Sequence, residues 1–183
     1  MITVDCITAS NLLADGKIII YPTESIFGIG CDPWNEKSVK KIYKIKGRPL
    51  NKPMIIIGTD LIQMKRLIDI DSITSTVKNT WPGHTTWLIP SKVDCPEWLK
   101  DNASGRVAVR ISNHQVVKRI CEEFSMPLIS TSANKSNYKP SKDRKDVESI
   151  FTSEIDYIVE GDLGGNEDPS IIKDMLTGEI IRG

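Results

Sequence analysis

The 183-residue sequence is short of histidine, of paired cysteines and of long apolar runs, and each shortage removes a class of function. Cys6, Cys31, Cys95 and Cys121 stand far apart with no CxxC pair, so reduced, mostly buried thiols are expected rather than disulfides or a zinc site. His84 and His114 are the only histidines and HExxH is missing, so no metal site is expected. Polar residues interrupt every isoleucine-rich segment, so no stretch reaches membrane-spanning length. Asp5 and the lack of a long apolar core argue against a secretory signal, which leaves a cytoplasmic location and no membrane partner as the expectation. No Ser-His-Asp or Cys-His arrangement suggests itself, which favours positioning and electrostatics over a covalent nucleophile.

What is present is a soluble, globular composition, 39% hydrophobic and 26% charged, on a chain long enough for a real core. Its 24 basic and 24 acidic side chains cancel, but they are segregated. Lys37 to Lys52 holds seven basic residues and no acidic one, whereas Glu154 to Asp168 holds six acidic and no basic. A basic patch inside a neutral protein fits a local anion site better than general nucleic-acid coating. Lys37, Lys40 and Lys41 read as a solvated helix face.

Strand and helix patterns alternate along the chain. A helix over 8–15, capped by Thr8 or Ser10, precedes a strand from Lys17 to Tyr21 and the stretch YPTESIFGIG at 21–30. There Pro22 limits ladder pairing, and Gly28 and Gly30 let the backbone approach something closely. Asn35 caps a helix that dissolves by Gly47. Met54–Ile57 is a buried strand, Asp60 caps a helix carrying Leu61, Met64 and Leu67, and a further helix runs from Ser72 to Asn79. Strands over 85–89 and 107–111 follow, then a helix capped by Asn113 with Val116, Val117, Ile120, Cys121 and Phe124 on one stripe. Met126–Ile129 is a strand feeding a Ser130–Asn134 turn. After a loop at 135–142 come a helix around Val147 to Phe151, a strand at 157–159, an acidic glycine-rich loop, and closing strands at 171–172 and 179–181. Several connections are too short for parallel crossovers, so a mixed, strongly twisted α/β sheet with packed helices is expected rather than a doubly wound one.

Four polar clusters fall at strand ends or in the loops that follow: Thr23 and Glu24; Lys46, Arg48 and Lys52; Arg110; and Ser130 to Asn134. Lys46-Gly47-Arg48 with Lys52 has the composition of a polyphosphate clamp, or of a basic helix end. Arg110, with small Ala108 as its alternation partner in a buried strand, must find an anion or a carboxylate. The Ser/Thr run supplies hydroxyls and amides suited to phosphate or to a small amino acid, or else to a turn.

Taken in order, YPTESIFGIGC (21–31), KGRPLNKPM (46–54), WPGHTTWLI (81–89), VAVRI (107–111), PLISTSANKS (127–136) and NEDPSIIKDMLTGEIIRG (166–183) resemble the YrdC family, and within it the TsaC-type single-domain members. The resemblance implies one YrdC-like domain over 1–183, with a twisted mixed sheet, packed helices and a concave, positively lined cavity. It implies synthesis of threonylcarbamoyl-AMP and pyrophosphate from L-threonine, bicarbonate or CO2, and ATP with Mg2+, for tRNA t6A37 modification. The downstream partners would be transfer proteins of the TsaD/TsaB/TsaE type. The family pattern KxR…K…SxN falls on Lys46, Arg48, Lys52, Ser132 and Asn134, which would hold the ATP phosphates with Arg110. Lys46, Arg48 and Lys52 would carry catalysis, Ser170 would lie near the nucleotide, and Thr23, Ser130 and Thr131 would line the threonine side. His84 stands where many relatives have a second proline, and Lys135-Ser136-Asn137 replaces a smaller, glycine-containing turn. The chain also ends where longer relatives carry an extra domain, as the single-domain type does. Rival readings are a YrdC-fold RNA-binding or ribosome-assembly factor without its own adenylate synthesis, binding tRNA or other RNA, and a carbamoyl-phosphate-using module.

Overall fold

The computed structural model describes Met1 to Arg182; Gly183, the last residue of the tail motif, lies outside the described residues. One ten-stranded mixed sheet runs through the molecule. Its strands are β1 (Ile2–Val4), β2 (Ile19–Pro22), β3 (Phe27–Gly30), β4 (Ile55–Gly58), β5 (Thr85–Pro90), β6 (Arg106–Ile111), β7 (Leu128–Ser132), β8 (Tyr157–Val159), β9 (Ile171–Asp174) and β10 (Ile180–Arg182). The spatial order is β1-β8-β2-β3-β7-β4-β6-β5-β9-β10. β1/β8, β2/β8, β4/β6 and β5/β9 are parallel; the other neighbours are antiparallel. The expected mixed sheet is therefore present.

The helices are α1 (Cys6–Ala14), α2 (Glu36–Lys46), α3 (Ser75–Lys78), α4 (Gln115–Phe124) and α5 (Arg144–Phe151). Side chains alternate across the pleat, so Ile18 and Ile20 join one core while Ile19 and Tyr21 join the other. The larger core packs under α2 and α5 with Val39, Ile42, Val147 and Phe151. The smaller one seats α1 and α4 on β2, β4 and β7, through Leu13, Val117, Ile120 and Phe124 against Ile19, Tyr21, Ile57 and Leu128. Those two helices cover only half of their face. The other half, over β4, β6, β5 and β9, is the floor of a cavity.

Several boundaries differ from the sequence expectation for identifiable reasons. α1 begins at Cys6 because the Asp5 carboxylate takes the Thr8 amide at 2.7 Å, whereas the Ser10 hydroxyl donates back to the Ile7 carbonyl. The helix expected after Asp60 is a single 3₁₀ turn, Ile62–Met64; the chain then bends to bury Met64, Leu67 and Ile68. The Ser72–Asn79 helix splits into a 3₁₀ turn at Ile70–Ser72 and the short α3, where Thr74 serves as the cap. Asn113 does not cap α4. His114 occupies that position without a side-chain cap, and Ser112 Oγ accepts its amide at 3.0 Å. Ser130, Thr131 and Ser132 lie inside β7, paired to β3 and β4, rather than in a turn beyond it.

The two glycines of the YPTESIFGIG stretch have a concrete use. Tyr21 pairs with Gly28, and its ring lies across β3. A Cβ on Gly30 would meet that ring at 2.8 Å and the Ile129 carbonyl at 2.5 Å. The close approach is to the protein's own tyrosine, buried at the junction of the covered and open halves.

Candidate active site

On β6, Val107, Val109 and Ile111 point into the larger core, which leaves Ala108 and Arg110 facing the opposite side. Together with Gly28 of β3, Ile55 of β4, Leu88 of β5, Ser130 and Ser132 of β7 and Ile172 of β9, they line a cavity of about 860 Å3. Small side chains on its floor keep it open, and its size suits a ligand larger than an amino acid. The walls are loops: Thr23 and Ser25 between β2 and β3, Arg48 and Asn51 to Pro53 after α2, and Pro169 and Ser170 before β9.

The lining is basic in excess. Arg48, Lys52, Arg106, Arg110 and Arg182 face Asp101 and Asp174. Arg106 is ion-paired to Asp174, and Arg110 to Glu24. Among the described residues, Arg48, Lys52 and Arg182 have no carboxylate partner. Their surplus positive potential is what an anionic ligand would neutralise.

Arg48 is held by its own loop. Its Nε donates to the Lys52 carbonyl at 3.1 Å and its Nη2 to the Pro53 carbonyl at 2.9 Å, while Tyr43 also donates to Lys52 O. These bonds fix the loop and present Lys52 as an exposed ammonium at the rim. Burial lowers the Arg48 pKa, yet a guanidinium stays charged.

Lys46 behaves differently from its neighbours in the KxR…K pattern. It is 2% exposed and absent from the cavity wall. Its ammonium donates to the carbonyls of Ser132 and Asn134, with Asn134 Oδ1 at 3.5 Å. Asn134 in turn donates to the carbonyls of Lys135 and Tyr138. Ser136 N and Lys135 Nζ take the exposed carbonyls of Lys46 and Ile45 at the end of α2. Lys46 and Asn134 thus form a latch behind the cavity that fixes the loop after Ser132. Burial, reinforced by the Arg48 and Lys135 charges, brings the Lys46 pKa down to about 7, against three oxygens that favour its charged form.

The hydroxyls expected on the small-substrate side, Thr23, Ser130 and Thr131, line the cavity, as does Ser132, expected on the phosphates; Thr23 Oγ1 donates to Ile26 O at 2.7 Å. Ser170 lies against Thr86, hydroxyl to hydroxyl at 2.9 Å, and its carbonyl receives Arg182 Nη2 at 2.9 Å. Arg110 is anchored by Glu24, by His84 Nδ1 and by the Gly83 carbonyl. Burial would raise the Glu24 pKa, but Arg110 and the Ser112 hydroxyl together hold it below its ordinary value.

Of the residues expected at the site, Arg48, Lys52, Arg110, Ser130, Thr131, Ser132, Thr23 and Ser170 line the cavity, while Lys46 and Asn134 stand behind it. Arg106, Asp174 and Arg182 line it as well and were not among the expected residues. Arg182 carried a signal, the basic residue closing the tail motif; Arg106 and Asp174 meet only through the β5–β6 and β5–β9 pairings. Among the described residues no group of three or more His, Cys, Asp or Glu converges as a metal site, and no helix is long and apolar enough to cross a membrane.

Comparison with known proteins accords with this architecture. A threonylcarbamoyl-AMP synthase of Pseudoalteromonas translucida is 40% identical over 179 residues, 96% of this chain and 95% of that one. One from Pseudomonas aeruginosa is 39% identical over 176 residues, 95% and 94% of the two chains. The crystal structure of P. abyssi Sua5 complexed with L-threonine superimposes with a TM-score of 0.88 at 25% identity, over 98% of this chain; this chain spans 56% of that longer one. Residues 11–183 match the Sua5/YciO/YrdC family model, described as telomere recombination, and the chain belongs to that family.

Proposed function

We propose that this chain is an L-threonylcarbamoyladenylate synthase, a nucleotidyltransferase that makes threonylcarbamoyl-AMP and pyrophosphate from L-threonine, bicarbonate or CO2, and ATP. The observation that carries the reading is one cavity of about 860 Å3 lined both by Arg48, Lys52 and Arg182, cations without a carboxylate partner among the described residues, and by the short hydroxyl side chains of Thr23, Ser130, Thr131 and Ser132. The names of the two bacterial relatives and the threonine complex of Sua5 support it.

The neutral amine of threonine adds to the carbon of CO2 and gives up a proton to water, leaving a carbamate. A carbamate oxygen attacks the α-phosphorus of ATP, and the bond to the bridging oxygen of pyrophosphate breaks. Arg48 and Lys52, with Arg182, would neutralise the phosphates and the leaving pyrophosphate. Ser132 would approach them from β7, with Lys46 and Asn134 fixing its position from behind. Thr23, Ser130 and Thr131 would surround threonine, and Ser170 would border the nucleotide; Arg110, which the resemblance assigns to the phosphates, is paired to Glu24 beside Thr23 and would serve the threonine end instead. The chain's service is alignment of three reactants and exclusion of water from a labile carbamate.

The residues present do not fit a protein-held Mg2+. Asp174 already accepts from Arg106 and from the Leu176 and Thr177 amides, and Asp101 from Ser104. Mg2+ would therefore enter with the nucleotide rather than on a protein site, and would help offset the phosphate charge. The product would pass to TsaD/TsaB/TsaE-type proteins in the cytoplasm for transfer to tRNA, from a single domain spanning 1–183.

The test is pyrophosphate release with ATP, Mg2+ and bicarbonate, with and without L-threonine, the nucleotide product identified by mass. Threonine-dependent threonylcarbamoyl-AMP is the expected result. Salt-sensitive RNA affinity without that product would replace the enzyme reading with the RNA-binding one.

A further inference from the structure

His84 stands in the WPGHTT turn and its two ring nitrogens join two parts of the site, the Arg110 side chain and the acidic loop before Ser170. Its Nε2 lies 2.6 Å from the Asp168 carbonyl, and its Nδ1 lies 2.9 Å from Arg110 Nη2. A carbonyl only accepts and a guanidinium only donates. Both contacts are hydrogen bonds only if Nε2 carries the proton and Nδ1 carries none. The surroundings therefore select one neutral tautomer of the imidazole.

The two partners matter unequally to the cavity. Arg110 has five N–H groups. Nε is used by the Gly83 carbonyl and Nη2 by His84, with Glu24 Oε2 ion-paired to Nη2, which leaves the Nη1 pair without a protein acceptor. Nη1 is also absent from the buried unpartnered atoms, so the donors that remain are those open to the cavity. Asp168 belongs to the acidic loop between β8 and β9, which crosses the β2–β3 turn. Gly164 N donates to Thr23 O, Asn166 N to Glu24 O, and Gly164 sits so close that a Cβ there would meet Glu24 Cα at 2.9 Å. The loop ends at Pro169 and Ser170, both on the cavity wall.

We infer that His84 is a positioning residue: as a neutral imidazole it aims the free Nη1 edge of Arg110 into the cavity and, through the Asp168 carbonyl, pins the loop that delivers Ser170. The inference rests on the proposed synthase activity only for its kinetic consequence. The charged groups facing His84 are Arg110 from β6 and Glu24 from the β2–β3 turn; His114 lies beside Glu24 against Gly164 and feels the same two charges. Burial lowers the His84 pKa from its ordinary 6.5; the Asp168 carbonyl and Glu24 oppose that, and the Arg110 charge reinforces it. Protonation would set an N–H against the guanidinium, so the arrangement holds above pH 6.5 and is lost as pH falls through the lower folded value.

Two measurements test this, and the first needs no substrate. Side-chain 15N NMR of the full chain between pH 8 and pH 5 reads the tautomer of each of its two histidines, with His114→Gln assigning the signals. His84 in the Nε2–H form, with a midpoint below 6.5, is expected; the Nδ1–H form, or a midpoint at or above 6.5, overturns the inference. The second separates the two contacts in the threonine-dependent assay. His84→Asn keeps a group near the Nδ1 position and His84→Gln one near Nε2. His84→Asn is expected to keep the threonine KM near that of the parent, and His84→Gln to raise it about tenfold, as for one lost bond to a charged group. Equal KM values in the parent, His84→Asn, His84→Gln and His84→Ala overturn the positioning role. A parent without synthase activity sinks the functional reading, while the NMR result still decides the state of His84.

Discussion

The two halves of one sheet face are built on opposite plans. Under α1 and α4 the face carries Ile19, Tyr21, Ile57 and Leu128, all essentially inaccessible. Further along the same pleat positions it carries Gly28, Ala108, Arg110, Ser130 and Ser132, and no helix covers them. β4 and β7 cross from one plan to the other within two or three residues, from Ile57 to Ile55 and from Leu128 to Ser130. Covered positions supply stability through apolar burial; uncovered ones give up that burial for hydroxyls and an ion pair. The comparison predicts that stability and activity respond separately in the two halves, except where an ion pair ties them.

Arg110 is that exception, and it carries the largest expected effect. Arg110→Met removes the partner of a Glu24 carboxylate that is only 13% exposed. Unfolding in urea is expected to show a loss of about 3–5 kcal/mol, with synthase activity abolished. Adding Glu24→Gln should restore most of the stability and none of the activity. Recovery of both would show that Arg110 serves only the fold.

Ile120→Ala, in the covered half, is expected to cost about 2–5 kcal/mol with KM for ATP and threonine unchanged, measured by urea unfolding and steady-state kinetics on the folded fraction. A shift in KM would mean that the two halves are mechanically coupled.

Lys46 and Lys52 sharpen the contrast within one motif. Lys46→Met should cost about 1–3 kcal/mol, because the Ser132 and Asn134 carbonyls lose their buried donor. Lys52→Ala should leave stability within about 0.5 kcal/mol while depressing turnover severely, and Lys40→Ala should change neither. Equal turnover for Lys52→Ala and Lys40→Ala would remove Lys52 from the phosphate site.

The smallest effect is on acid stability. Glu24 has its folded pKa held below the ordinary 4.5, so its pairing adds stability above pH 4.5 that fades as pH falls through the folded value. Unfolding midpoints measured from pH 6 to pH 3 should drop more steeply for the parent than for the Arg110→Met/Glu24→Gln double variant.

Much of this was legible in the sequence because local chemistry and the ordered motifs agreed. Arg110 beside Ala108 announced a charge on a buried strand that needed a partner, and the partner was Glu24, a residue already marked by its place after Pro22. The identity of that pairing was not legible, since it depends on the β4–β7–β3 crossing that brings β6 near the β2–β3 turn. Lys46 was the hardest to place. Lysine, glycine and arginine in a row look alike as ligands, but α2 turns the Lys46 stem toward the Ser132–Asn134 backbone while Gly47, at φ +60, redirects Arg48 to the cavity. The boundaries at Asp5, Thr74 and His114 went to whichever group won a backbone amide, a competition decided at single residues.

The last described strand gives one wall of the cavity an unusual mechanical character. β10 lies at the margin of the sheet, its residues exposed, and it meets β9 through Ile180–Lys173 and Arg182–Ile172 with an irregularity between them. A margin held so lightly frays more readily than the centre, and its amides exchange with solvent sooner. Arg182 rides on that margin while its guanidinium holds the Ser170 carbonyl. A polyanion bridging Arg182 to Arg48 and Lys52 would stitch the margin to the interior, so the exchange rate of the β10 amides becomes a gauge of occupancy at the far side of the molecule from α1.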